Sequence, residues 1–308
     1  MRRRIFASSV FPAILMTTFA IAGDPVSFDN PKGLYPAYLK QSEPIFARAH
    51  DLAVSPDGAF LLVADLGNNE IKILDPGKLT LLSQFGKDQL SSPHDIAFDL
   101  QGRALVADTE NNRIMVYKFE GVFRDGSASI EHIDTWSDGI SGPEGVAGGS
   151  EGRVYVGNTG SNSIIVLKDG KVIKSINSAG PDNTALSSPH DIHVDSKGRV
   201  IAVDSGNNRI LVFDKDLNFT RELSRDVYGF NDPKYVASDD QGNILVADED
   251  NHQIKIMDSA FKPLGRIVGV PKPAGPGPLK GPEGIETVGR YMWVSDTYNS
   301  RVLLYKRP

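Results

Sequence analysis

Six returns of one unit, short β runs at hairpin spacing inside each unit, and the lack of helical periodicity beyond residue 22 predict an all-β chain. The natural closure is a six-bladed β-propeller of four-stranded antiparallel blades. The unit opens on a tripeptide, which reads Ala49-His50-Asp51, Pro93-His94-Asp95, Pro143-Glu144-Gly145, Pro189-His190-Asp191, Pro233-Lys234-Tyr235 and Pro282-Glu283-Gly284. A β run follows, then a Gly turn, then a second run ending in Asp or Asn. A unit of about 45 residues cannot bury its apolar face alone and must stack on its neighbours, which argues for one domain.

Taken in order, the chain begins with a targeting segment over residues 1–22. Arg2-Arg3-Arg4 is a basic start, Ile5 to Phe19 is mostly apolar, and Ala20-Ile21-Ala22 is a cleavage signal before Gly23. The apolar stretch is short and broken by Pro12, so no membrane span is expected. Arg3-Arg4-Ile5-Phe6 partly matches a twin-arginine export signal, a route that carries folded proteins. The expected location is periplasmic or secreted. Residues 23–48 form an N-terminal segment, and residues 49–308 form the propeller.

The fourth unit is the clearest. His190 to Asp195, Arg199 to Asp204, Arg209 to Asp214 and Asn218 to Leu223 read as four strands, divided by Gly, Asn and Asp turns. The last unit has three: Glu283 to Thr287, Tyr291 to Asp296 and Arg301 to Tyr305. Its open edge needs a partner. The N-terminal segment, around Ala37 to Gln41, is expected to supply that strand and latch the ring.

Composition narrows the function. The chain has no cysteine, which removes disulfides and thiolate metal sites. Its formal charge of −6 falls to −9 once the three leader arginines are removed, a poor balance for binding nucleic acid. A monomer is expected.

Constancy and variation along the units separate scaffold from site. Asp65, Asp108, Asp204, Asp248 and Asp296 recur at one place, with Asn158 in the third unit; side chains of this kind cap turns. The middle residue of the tripeptide varies instead, reading His50, His94, Glu144, His190, Lys234 and Glu283. Each sits at the start of the innermost strand, so the six form a ring at one mouth of the central channel. Neutral imidazoles suit Zn²⁺, Cu²⁺ or Fe²⁺, and three of them leave an open position, as catalytic zinc needs. The reading is a divalent metal, zinc first, on His50, His94 and His190 with Glu144 beside them. Ca²⁺ in a structural role is a further expectation. The alternative is a metal-free ring in which Lys234 bridges Glu283 and the histidines bind water. Each ring histidine is followed by Asp, which strand alternation turns away from it and which is expected to orient a ring His of the adjacent blade. His132 reads as surface, His193 as lying down the channel, and His252 as a turn residue.

The runs VADLGNNEI (63–71), VADTENNRI (106–114), VDSGNNRI (203–210), VADEDNHQI (246–254) and VSDTYNSRV (294–302) resemble the NHL repeat family; the third unit departs with VGNTGSNSI (156–164). Pro93 to Ile96 and Pro189 to Ile192 are similar to motifs of peptidyl-α-hydroxyglycine α-amidating lyases. That resemblance implies channel histidines holding zinc, cleavage of an N–C bond, a working role for Asp191, and a proton-abstracting role for Tyr298 in the run 296–301. The lyases' cysteines have no counterparts. Arg48, by its place beside His50 and not by any motif, is the candidate anion-binding arginine.

Two function classes follow. One is a metal-dependent lyase or hydrolase in which Asp191 or Tyr298 moves a proton and Lys234 or Arg48 holds an anionic group. The other is a non-catalytic exported module that presents the channel mouth to a small molecule, peptide or protein.

Overall fold

The alternating runs fold into six four-stranded antiparallel sheets, five of them ordered along the chain from the axis outward and the sixth completed by an N-terminal strand. The structure is a computed structural model that describes residues 26–28 and 37–307, except 125, 181, 271, 273 and 274. The expected leader, residues 1–22, lies outside the described residues, as does its cleavage point. Among the described residues no helix is long and apolar enough to cross a membrane.

The inner strands of blades 1 to 6 are Ala49–Val54, Pro93–Phe98, Pro143–Gly148, Pro189–Val194, Pro233–Ser238 and Pro282–Val288. Each packs against the next, and the sixth against the first. The sixth blade closes as its missing edge requires. Ala37–Gln41 pairs antiparallel with Arg301–Lys306, with Tyr38 opposite Tyr305 and Gln41 opposite Leu303. A register shift between Tyr38 and Lys40 leaves Leu39 exposed.

The core lies between blades. Phe46, Leu52, Leu61, Trp293, Val302 and Leu304 join the sixth blade to the first, and the Trp293 indole donates to the Pro76 carbonyl at 2.8 Å. Five similar clusters fill the other junctions. Phe28 joins the one between blades 4 and 5.

The recurrent Asp is a cap, as expected. Its Oδ1 accepts a backbone N–H from the segment leading into its own blade: Ala47 and Arg48 for Asp65, Ser91 for Asp108, Ser187 for Asp204, Asn231 for Asp248 and Lys280 for Asp296. Asn158 takes Ser141 in the same way. The second oxygen accepts the Asn three residues on, as from Asn68, Asn111 and Asn207. The repeated second Asn fills a left-handed slot with φ between 49° and 56°, held by Asn69, Asn112, Asn162 and Asn208; His252 and Ser300 take the slot in the last two blades. Short polar side chains tolerate that backbone.

One expectation needs amending. The connection between blades 4 and 5 contains a four-residue α-helix, Arg225–Tyr228, ended by Gly229 at φ 65°. One turn carries no periodicity, so the sequence pattern has nothing to register there.

Candidate functional site

Every inner strand breaks register at its ring residue. The shifts fall between Ala49 and Leu52, Pro93 and Asp95, Pro143 and Gly145, Pro189 and Ile192, Pro233 and Tyr235, and Pro282 and Ile285. Such irregularities re-aim side chains. Here they let two successive residues face the channel, so simple alternation fails: the Asp after each ring His is not turned away from the axis.

The upper layer holds the predicted ring. His50 and His190 are buried, with exposures of 2% and 5%. Ring centroids lie 4.8 Å apart for His50 and His94 and 6.0 Å apart for His94 and His190. Glu144 stands between two of them, with Oε1 3.9 Å from His94 Nε2 and Oε2 3.5 Å from His190 Nε2. His94 Nδ1 is placed by Thr109 Oγ1 at 2.8 Å and the Ser92 carbonyl at 3.0 Å. His50 Nδ1 lies 2.7 Å from Glu283 Oε2 but off the line of a hydrogen bond. Both ring nitrogens of His50, Nδ1 of His190 and Oε2 of Glu283 therefore have no hydrogen-bond partner. Burial, with His50 adding to it, pushes His94 down to about 3; burial and then Lys234 push His190 well below the usual imidazole range. Both are neutral at pH 7 and carry free lone pairs. Burial raises Glu144.

The second layer holds the residues that follow the ring. Asp95 Oδ2 accepts Val146 N–H at 2.5 Å, and Asp191 accepts Ile192 N–H at 2.6 Å and Val236 N–H at 2.8 Å. Asp95 and Asp191 thus each bind the backbone of the following blade, at Val146 and Val236, and not a ring imidazole. Burial raises all three: Asp51 and Asp191 well above the carboxylate range, Asp95 to about 6. The Asp95 charge adds to burial in raising Asp51. Where the ring residue is Glu, the next residue is Gly for steric cause. A Cβ on Gly145 would stand 2.6 Å from the His190 carbonyl oxygen, and one on Gly284 would stand 2.4 Å from that of His50. In blade 5 this position is Tyr235. Its hydroxyl crosses the channel to donate to the His94 carbonyl at 2.8 Å, and its ring meets His190 edge-on at 5.0 Å.

Below the carboxylates lies a cavity of ≈ 280 Å³, with His193 and Glu286 in its wall. His193 Nε2 bonds Ser238 Oγ at 2.7 Å, and burial pushes it down to about 4. His132 is exposed in an outer strand, as expected. His252 holds its turn through Nδ1 on the Glu249 carbonyl.

The remaining predicted residues meet at the rim. The Arg48 guanidinium lies 5.8 Å from the centroid of the half-exposed Tyr298 ring. Burial, and then the neighbouring Glu249 carboxylate, raise the Tyr298 pKa. Lys234 Nζ lies 2.9 Å from Asp232 Oδ1 and 3.6 Å from Glu249 Oε2, so it does not bridge Glu283 and the histidines directly. Burial alone would lower Lys234, but Asp232 and Glu249 outweigh it and the pKa is raised.

Glu249 is the rim residue that the sequence reading missed. A trace of it was visible: it follows the capping Asp, where Thr109, Thr159 and Thr297 donate to the Pro143, Pro189 and Ala49 carbonyls of the next blade. Blade 5 replaces that clasp with a buried carboxylate, raised by burial. Among the described residues, Asp232, Glu249 and Asp250 are the group of three metal-ligand types whose donor atoms all lie within 4.8 Å; the three histidines and Glu144 are not gathered so tightly.

Fold and site define a six-bladed β-propeller whose channel is polar, histidine-lined at one mouth and carboxylate-lined below. Residues 38–216 match the family described as lactonase, 7-bladed beta-propeller, and residues 230–257 match the NHL repeat. The first match spans more than half of the chain, and the chain belongs to that propeller family, with six blades here and NHL character in blade 5. No curated protein matches the chain. Among solved structures, a catalytically inactive virginiamycin B lyase from Staphylococcus aureus with quinupristin is 15% identical, over 84% of this chain and 80% of that one, with a TM-score of 0.56. The selenomethionine-substituted lyase from the same organism is 13% identical, over 85% and 95%, with a TM-score of 0.56. A streptogramin B lyase is 15% identical, over 90% and 89%, with a TM-score of 0.57. At these identities the likeness is one of fold.

Proposed function

We propose that the chain is an exported, metal-dependent lyase or hydrolase that works at the histidine mouth of the channel. The observation that carries this reading is the pair of buried imidazole nitrogens His50 Nε2 and His190 Nδ1, which have no hydrogen-bond partner in the protein. Each unsatisfied buried polar atom costs about 1–3 kcal/mol, so a ring built this way calls for a ligand. His50, His94 and His190 would hold the ion, zinc by ligand type, with Glu144 beside it. Two ring carboxylates against one lysine leave a charge that a divalent cation offsets. When bound, such an ion supplies a Lewis acid for a substrate oxygen.

The chain's own groups do the rest. Arg48 and Lys234 hold an anionic part of the substrate at the rim. Tyr298, kept protonated by burial and the neighbouring Glu249 carboxylate, donates a proton to the leaving group, and solvent water reprotonates the tyrosinate. Asp191 keeps the second layer in place through two backbone bonds. The similar folds named for lyase activity on streptogramins agree with a lyase reading, and the family description agrees with lactone hydrolysis. Full-length protein should be assayed on peptidyl-α-hydroxyglycines, simple lactones and quinupristin, before and after chelator treatment. Turnover of one class that chelation abolishes and zinc restores is expected. No turnover of any of them favours the second reading.

That second reading is a non-catalytic binding propeller. One observation favours it: shared ligation at Zn–N distances near 2 Å needs the imidazoles closer together than this ring holds them.

A further inference from the structure

We propose that Tyr235 is the positioning residue of the histidine ring and the floor of the mouth. The residues after the ring position are Asp51, Asp95, Gly145, Asp191, Tyr235 and Gly284. Only one of the six is long enough to cross the channel. Tyr235 is 2% exposed, starts in blade 5, and ends on the backbone of blade 2, where its hydroxyl donates to the His94 carbonyl at 2.8 Å. The same ring lies edge-on to His190 at 5.0 Å. One side chain therefore meets the His190 imidazole and the His94 backbone, the two residues that flank Glu144, and ties blade 5 to a residue 141 positions earlier.

The glycines at 145 and 284 lack side chains, so the space the tyrosine crosses is not filled from those blades. Beneath it lie the carboxylates and the ≈ 280 Å³ cavity, whose lining includes Asp51, Asp95 and Asp191 but none of the ring histidines. Tyr235 thus separates two chambers of different chemistry. A ligand of the ring enters from the mouth alone, and the separation of His94 and His190 is set by a bond that a phenylalanine could not make.

The test uses the full chain with labelled histidine side chains. Tyr235→Phe removes one oxygen and keeps the ring face. Tyr155→Phe is the control, since it removes a hydroxyl-to-carbonyl bond of the same kind, 2.7 Å to Lys215, away from the mouth. In metal-free protein, Y235F should shift or broaden the His94 and His190 ring resonances, and Y155F should leave them in place. In a zinc chloride titration, Y235F should bind about tenfold more weakly than wild type, as the loss of an outer partner of a ligand does. Unchanged resonances together with zinc affinity within about twofold of wild type would overturn the proposal. So would a Y235F chain that fails to fold, because the hydroxyl would then serve the fold and not the ring. The zinc arm rests on the metal reading. Wild type that binds no zinc refutes that reading alone, and the resonances still decide for Tyr235.

Discussion

At the residue scale, steric room around the channel is as sharply specified as charge. Gly145 has no Cβ because the His190–Asp191 backbone occupies that place. Gly145→Ala should destabilise the fold by about 1–3 kcal/mol, the usual cost of overpacking. Gly77→Ala, where the nearest atom is 3.6 Å away, should stay within about 0.5 kcal/mol. Denaturant melts of both variants check this, and equal midpoints would refute it. Glu286 gives a pH signature. Burial pushes its carboxyl up to about 8 from an ordinary 4.5. Between those values the folded chain keeps a proton that the unfolded chain releases, so this contribution is full below about pH 4.5 and lost as pH rises through 8. Glu286→Gln should match wild type in melting temperature near pH 4.5 and exceed it increasingly toward pH 8; parallel curves would contradict the assignment.

The ring was legible at this scale because it varies while the scaffold around it repeats. Tyr235 was not, since reach across a channel depends on where blades 2 and 5 stand. Glu249 was hidden differently. An acid in a turn reads as solvated, and only the clasps made by Thr109, Thr159 and Thr297 show what its blade has given up.

At the scale of elements, two contacts between distant parts of the chain add to the apolar junction that closes the ring. Ala37–Gln41 completes the last sheet, and Thr297 donates to the Ala49 carbonyl at 2.7 Å. Removing residues 37–41 should lower the melting temperature and expose the edge strand Arg301–Lys306 to pairing with other copies. Scanning calorimetry and light scattering on the deletion variant check both effects; unchanged values in both would remove the latch. The latch could be read in the sequence because a three-stranded last unit demands a fourth strand. The register shift at each ring residue could not, because every inner run still looks like regular alternation. That irregularity explains why Asp51, Asp95 and Asp191 lie under the histidines instead of turning outward.

At the scale of the whole molecule, six apolar junctions hold a polar axis. Imidazoles form its upper part and carboxylates raised by burial its lower part, with Tyr235 between them. The proposal of export rests on the basic and apolar start of the chain and the Ala20-Ile21-Ala22 signal. N-terminal sequencing of the exported form should begin near Gly23, and a start at Met1 would refute it. The metal proposal is the central claim, and elemental analysis of the purified full-length protein tests it most directly. Wild type and His132→Ala should each carry about one zinc per chain, and His94→Ala and His190→Ala should lose it while keeping the β-rich spectrum of the folded propeller. A wild-type protein that holds no divalent metal, even after incubation with excess zinc, would contradict the account.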